Sequence, residues 1–203
     1  MPHHLATTHL IKEVLNDQYI HLNLTHLKIE EDRHYNSSDS LCAIEVTLAQ
    51  DEQDSFMLKS TGVGFLDAGY EALMQHYAQH YPSLQTLQFS SFDVRGEMET
   101  ARKAGADAAC TVCLVILNHD RVPFEFETKG RSLAVVALNV VLHAVEYFIN
   151  SEKAFITVYK ALSDARARGR QDLIDGYVGQ LAELVKTTSY TQVIAQIKEE
   201  MNL

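Results

Sequence analysis

Apolar and polar positions change their period several times along the chain, and each change marks an element. Leu10, Ile11, Val14 and Leu15 fall at helical spacing behind threonines able to cap them, which predicts a short helix over residues 5–15. From His21 the period becomes two: Leu22, Leu24, Leu27 and Ile29 alternate with polar residues, predicting a strand before the polar stretch 30–40. Leu41 to Leu48 reads as a second strand, Asp51 to Asp54 as a charged turn, and Ser55 to Thr61 as a third strand. After Gly64, Leu66, Tyr70, Leu73 and Tyr77 line one face of a helix that runs toward Pro82.

The order then starts again. Leu87, Phe89, Phe92 and Val94 alternate within 84–98, residues 108–117 form a strongly apolar strand, Phe124 to Thr128 alternates before Gly130, and Leu133 to Phe148 reads as a helix. The expected architecture is therefore α+β: two β-β-β-α units related by pseudo-symmetry, filling residues 1–150, with a helical extension over 151–203. Each three-stranded sheet has an apolar face that its own helix covers only in part, so the units pack together. The second helix is apolar almost all round, through Leu133, Val135, Val136, Leu138, Val140, Val141, Leu142 and Val145. Burial on two sides predicts a subunit contact, and so a homodimer formed through the sheet-helix module, although a third layer within one chain would hide the helix equally well. In the extension, 154–167, 171–186 and 190–201 read as helices forming a packing or docking surface, separated by Gly169 and by Thr187-Thr188-Ser189.

Composition narrows the functions available. With 203 residues the chain can bury a proper core, yet it is shorter than a typical barrel enzyme of about 250 residues. A formal charge of −10 argues against a nucleic-acid partner, and the one compact basic cluster, Arg166, Arg168 and Arg170, reads as a solvated helix face. The start of the chain lacks the pattern of a secretory signal. The longest apolar run, 133–142, is interrupted by Asn139 and too short to span a bilayer, so no membrane role is expected. Three cysteines without an export signal suggest a reducing cytoplasm.

Candidate chemistry concentrates in Thr61-Gly62-Val63-Gly64-Phe65-Leu66-Asp67-Ala68-Gly69, where a strand passes through two close glycines into a helix. Glycine allows close backbone approach, and the free amides of the first helical turn attract carboxylates and phosphates. A dinucleotide fingerprint needs G-x-G-x-x-G, and Gly69 comes one place late. Cys110 and Cys113 lie i, i+3 on a strand, which points their sulfurs to opposite faces and makes them buried thiols rather than a redox or metal pair. His76 and His80 are spaced to share a metal with a third ligand from elsewhere, or to sit on a wet helix edge. No serine or cysteine occupies a recognisable nucleophile elbow.

The order of elements together with Gly62-Val63-Gly64-Phe65-Leu66-Asp67-Ala68 resembles the regulatory, or dimerisation, domain of the isopropylmalate synthase and citramalate synthase family, which carries a G-x-G-P-V-D-A turn at this point. Phe92-Asp93-Val94-Arg95 is similar to that family's aromatic-x-V-R strand, and Lys103-Ala104-Gly105-Ala106-Asp107-Ala108-Ala109 to its small-residue loop. Residues 128–142 resemble its second glycine turn and apolar helix. The resemblance spans roughly residues 20–150, with Phe65 in place of the usual proline.

The resemblance implies a domain that dimerises and binds an end-product amino acid, leucine or isoleucine, as feedback effector for a catalytic synthase subunit. It implies no catalytic residues, cofactor or metal, because the family's catalytic barrel has no counterpart here. Carried over by position, Gly62, Gly64 and Leu66 would form the turn and apolar wall, Phe92 the aromatic side, and Gly105, Ala106 and Ala108 the small-residue side. Asp67 is the acceptor for the ligand's ammonium, or else a carboxylate that complements the helix dipole; Phe92 is equally at home in a core, and Gly105 and Ala106 in a plain turn. The alternatives are an interaction module whose pocket is filled by side chains such as Phe65, and a small-molecule enzyme using Asp67, His76 or His80.

Overall fold

The computed structural model describes residues 2–33, 40–50, 55–102, 105–187, 190 and 193–194. The chain opens with helix α1 (Pro2–Leu15), longer than expected, and then forms strands β1 (Asn23–Arg33), β2 (Ser40–Ala49) and β3 (Ser55–Gly62) followed by helix α2 (Phe65–Tyr77). A single 3₁₀ turn, Pro82–Thr86, joins this unit to β4 (Gln88–Glu97), β5 (Ala109–Leu117), β6 (Pro123–Gly130) and helix α3 (Leu133–Ala167); α4 (Gln171–Leu184) follows. The fold is α+β, with two antiparallel sheets ordered β1-β2-β3 and β4-β5-β6.

The two units repeat in register as well as in order. Cys42 pairs with Gly62 in the first sheet as Cys110 pairs with Gly130 in the second, and Leu48 opposite Phe56 is matched by Ile116 opposite Phe124. Even the irregularities correspond: β1 bulges between Leu24 and His26, and β4 between Phe89 and Ser91. Period-two alternation turns Ile44, Val46 and Leu48 of β2 inward, as it does Val112, Leu114 and Ile116 of β5, and all six are buried.

Helix α2 packs mainly on β3 and β2, and α3 on β5 and β6. They also reach across: Leu138 of α3 joins Ile44, Val46 and Ala68 in one cluster, and the Tyr70 ring of α2 meets Phe89 of β4 edge-on at 4.8 Å. Gly69 permits this closeness, because a Cβ there would stand 2.5 Å from Leu138 Cδ2. Aliphatic and aromatic side chains from both sheets and from α1, α3 and α4 then form one continuous core. Each fully buried Leu, Ile or Phe contributes about 1.5–3 kcal/mol.

Three expectations are corrected. Helix α3 does not end at Phe148 to restart at Ala154; it runs unbroken for 35 residues, so the boundary drawn at residue 150 falls inside one helix. Asn150, Ser151 and Glu152 looked like an interruption, yet they are buried and their polar atoms are bonded: Asn150 to both backbone groups of Ile20, Ser151 Oγ to Tyr190 Oη at 2.7 Å, and Glu152 to the Ser83 N–H. The polar stretch 30–40 is not all loop either, because β1 continues to Arg33 and β2 begins at Ser40. The helix aimed at Pro82 stops at Tyr77. The charged turn 51–54 and most of the helix expected over 190–201 lie outside the described residues; Tyr190 and Val193 belong to the core.

The all-round apolar surface of α3 is satisfied within the chain. Sheet residues cover its first half; α1, α4 and the Tyr190 ring, stacked on Phe155 at 4.2 Å, cover the second. Its apolarity therefore requires no second subunit. Among the described helices α3 has the length and apolarity to cross a membrane, but 67% of that window is buried against the rest of the protein, as in a core helix.

Candidate functional site

The first glycine corner is a strand end pressed against the opening turn of α2. At Gly62 a Cβ would lie 2.7 Å from the Ala68 amide nitrogen and would collide with the Asp67 carboxylate, so glycine is required for the strand to meet the helix here. Gly64 occupies the N-cap position in extended geometry, which any residue adopts, and open space surrounds its missing Cβ. Its carbonyl receives the Ala68 N–H at 2.9 Å, starting the helix. Asp67, third residue of the helix, turns back so that Oδ2 accepts the Val63 N–H at 3.0 Å. This resembles a capping box, with an acid of the first turn satisfying a backbone donor just outside the helix.

The second corner is built differently. A Cβ on Gly130 would stand 2.7 Å from Val136 Cγ2, and Thr128 Oγ1 donates to the Val136 carbonyl at 2.8 Å. No acid lies in the first turn of α3. Instead Arg131 reaches back over the loop before β5: its guanidinium donates to the Asp107 carbonyl and, at 3.3 Å, to the Thr100 carbonyl. That loop is closed on itself. The Asp107 carboxylate accepts the Arg102 N–H at 2.9 Å, Thr100 Oγ1 accepts the Ala109 N–H at 2.7 Å, and Gly105 takes a left-handed φ of 85° beneath the Met98 methyl.

The anticipated site residues thus fall into three groups. Gly62, Gly64, Leu66 and Asp67 form the first corner. Gly105, half-buried Ala108 and exposed Ala106 belong to the loop fastened by Arg131 at the second. Phe92 lies on β4, half-buried, and both it and Leu66 pack on the main core. Leu66 and Tyr70 lie a turn apart on α2, and Tyr70 touches Phe89, three residues before Phe92 on β4. Asp67 is exposed. A groove of about 570 Å³ lies elsewhere, lined by Lys28, Glu30, Glu45, Lys59, Ser60, Thr61 and Gln75 among others. Its lysines are engaged with Glu30 at 2.7 Å and Glu45 at 2.6 Å, and its mainly polar lining offers little wall for an aliphatic ligand.

The cysteines behave as strand geometry requires. Cys110 packs toward the core, and Cys113 faces outward, where its Sγ donates to Glu125 Oε1 at 3.3 Å. Burial first, and then that carboxylate, push the Cys113 thiol up to about 11, which suppresses thiolate chemistry. His76 stacks on Phe56 at 4.7 Å; burial and then the neighbouring His80 hold its pKa below the ordinary histidine value. Among the described residues no group of three His, Cys, Asp or Glu is placed to hold a metal ion.

Sequence reasoning missed Arg131 and the buried polar run of α3. Neither carries a local signal, because Arg131 serves carbonyls of a loop well before it in the chain and the polar run serves segments that are distant in sequence.

No protein-family model matches the chain, and none of the curated proteins matches it.

Proposed function

We propose that the chain is a free-standing regulatory and dimerisation domain of branched-chain amino-acid biosynthesis, cytoplasmic and without catalytic activity of its own. It binds a small leucine- or isoleucine-like effector and passes that signal to a synthase subunit. The observation that carries the reading is the register-matched repeat with a glycine at the same paired position of each unit, Gly62 and Gly130, where strand turns into helix. An aliphatic side chain would lie along Leu66 and Phe92, and Asp67 would receive the ammonium through the lone pairs left after its bond to Val63. Isothermal titration against leucine, isoleucine, valine and alanine tests this directly. Heat with a branched-chain member is expected, weakened by Asp67→Ala; silence with all four ends the effector reading.

One observation favours a second reading, an interaction module with a closed pocket. The Asp67 carboxylate already stands at the positive end of α2, where a ligand carboxylate would otherwise dock, and Phe65 packs against the Ile44–Leu138 cluster. Phe65 is the first residue of α2, a position that accepts proline without loss of a helical bond. On this reading Phe65→Pro opens the corner and creates amino-acid affinity absent from the parent. On the effector reading the parent already binds.

A further inference from the structure

The second sheet ends on β4, which pairs with β5 on one side and with no strand among the described residues on the other. Eight of its ten residues are exposed. Helix α3 covers β5 and β6 but stops short of this edge: Val94 is 45% exposed, although Val112 beside it in the register is 0%. Phe89 and Met98, at the two ends of the strand, are also exposed. An open edge bearing apolar side chains is a template for another strand.

The sequence of this edge is complementary to itself when reversed. Asp93 and Arg95 pair with Cys113 and Thr111, which places both on the outer face; Phe92 and Val94 pair with Leu114 and Val112 on the inner face. Setting a second β4 antiparallel about an axis through Val94 brings Val94 against Val94, and Asp93 against Arg95 twice over. Phe92 of each copy then lies across from Gly96 of the other, an aromatic ring covering a glycine on an adjoining strand. Arg95 is available for this role: it stands 3.7 Å from the Glu127 carboxylate, too far for a close hydrogen bond, and its side chain is 71% exposed.

We infer that β4 is a homodimer seam, through which two copies of this chain join into one continuous six-stranded sheet. The contact is isologous, since each copy presents the same patch to the other. The edge of the first sheet fits the role less well. At the matching positions β1 carries Lys28 and Glu30, already bonded to each other at 2.7 Å. Laying β1 against β4 about Ile29 and Val94 would oppose Lys28 to Arg95 and Glu30 to Asp93. The inference deepens the dimerisation half of the proposed function and stands independently of the effector.

Sedimentation equilibrium of the full chain over a wide concentration range tests it, with circular dichroism confirming the fold of each variant. The parent should dimerise. Asp93→Arg and Arg95→Asp should each weaken the dimer about tenfold or more, because each replaces two attractive contacts by two repulsive ones. The double exchange should restore it, and Lys28→Glu should leave it unchanged. Independently, Val94→Cys should cross-link with itself under mild oxidation, since directly opposed residues place their Cβ atoms about 4.5–5.5 Å apart. Val122→Cys, similarly exposed but off the seam, should not. A dimer indifferent to both charge reversals and silent in the Val94→Cys cross-link overturns the seam while leaving dimerisation in place. A parent that stays monomeric throughout overturns both.

Discussion

Helices α2 and α3 leave equivalent corners of equivalent sheets, yet α2 ends after 13 residues and α3 runs for 35. The first stop has a local cause. Pro82 disfavours helical geometry in the residue before it, and Tyr81 adopts φ −128° and ψ 82°, which turns the chain into the connection between units. No proline follows Leu133, so α3 continues past its sheet, and its added length has a use. Asn150, Ser151 and Glu152 each hold a different distant segment: the chain before β1, the chain after α4, and the connection between units. Glu146 and Lys153 extend the first attachment by bonding the Leu22 N–H and the Gln18 carbonyl. Two units can thus share strand register while one of their helices anchors three further segments of the chain.

The sharpest way to break this asymmetry is at Asn150. Its side-chain amide both receives the Ile20 N–H and donates to the Ile20 carbonyl, each at 2.8 Å, much as a neighbouring strand would. Asn150→Leu keeps the branching and number of side-chain heavy atoms but leaves two buried backbone groups without partners, at about 1–3 kcal/mol for each group. Chemical denaturation should show a loss of roughly 2–6 kcal/mol. Asn150→Asp retains the acceptor and removes the donor, so it should release the Ile20 carbonyl while holding the N–H. A loss for Asn150→Leu no larger than that of an exposed α2 substitution such as Glu71→Leu would mean that the segment does not depend on this clamp.

The corners supply the next comparison. An alanine Cβ at Gly62 meets backbone, the Ala68 nitrogen at 2.7 Å and its Cα at 3.1 Å, and neither can move without unwinding the first turn of α2. At Gly130 the obstacle is a Val136 methyl, which a side-chain adjustment can relieve in part. Gly62→Ala should therefore cost about 2–3 kcal/mol and Gly130→Ala about 1 kcal/mol by overpacking. Equal losses in thermal denaturation would show that the two corners are held to the same tolerance despite their different walls.

Elements with their own period were legible in the sequence, and those fixed by distant partners were not. The run 41–48 and the continuous apolar run 108–117 gave β2 and β5 almost to the residue, because an apolar stretch of strand length bounded by polar residues has few other places in a fold. The glycine corners were legible too, since glycine answers a local steric demand. What was hidden is the middle of α3. Asn-Ser-Glu after an apolar run resembles a helix end, and only Ile20, Tyr190 and Ser83, far away in sequence, make it a helix interior. At the site, Asp67 showed its position but not its bond to Val63. The role of Arg131 depends on carbonyls of a loop whose closure no short-range pattern announces.

The connection between the units gives the smallest and most specific test of the contrast between α2 and α3. Glu152 is 1% exposed, and one oxygen accepts the Ser83 N–H at 3.0 Å. Burial raises its pKa above the ordinary glutamate value, outweighing the bonds to Ser83 that favour the charged form; Tyr81 and Tyr190 are the titratable groups whose own pKa values it raises. A carboxyl whose pKa is higher folded than unfolded gives stability that is whole below the unfolded value and lost as pH rises through the folded one. Glu152→Gln holds the neutral form at every pH and keeps an oxygen for the Ser83 N–H. The stability of the parent, measured relative to Glu152→Gln, should therefore fall as pH climbs from the ordinary glutamate range toward neutrality, then level off. Parallel curves across that range would mean that Glu152 keeps its unfolded pKa, and that the α3 anchor for the connection is indifferent to charge.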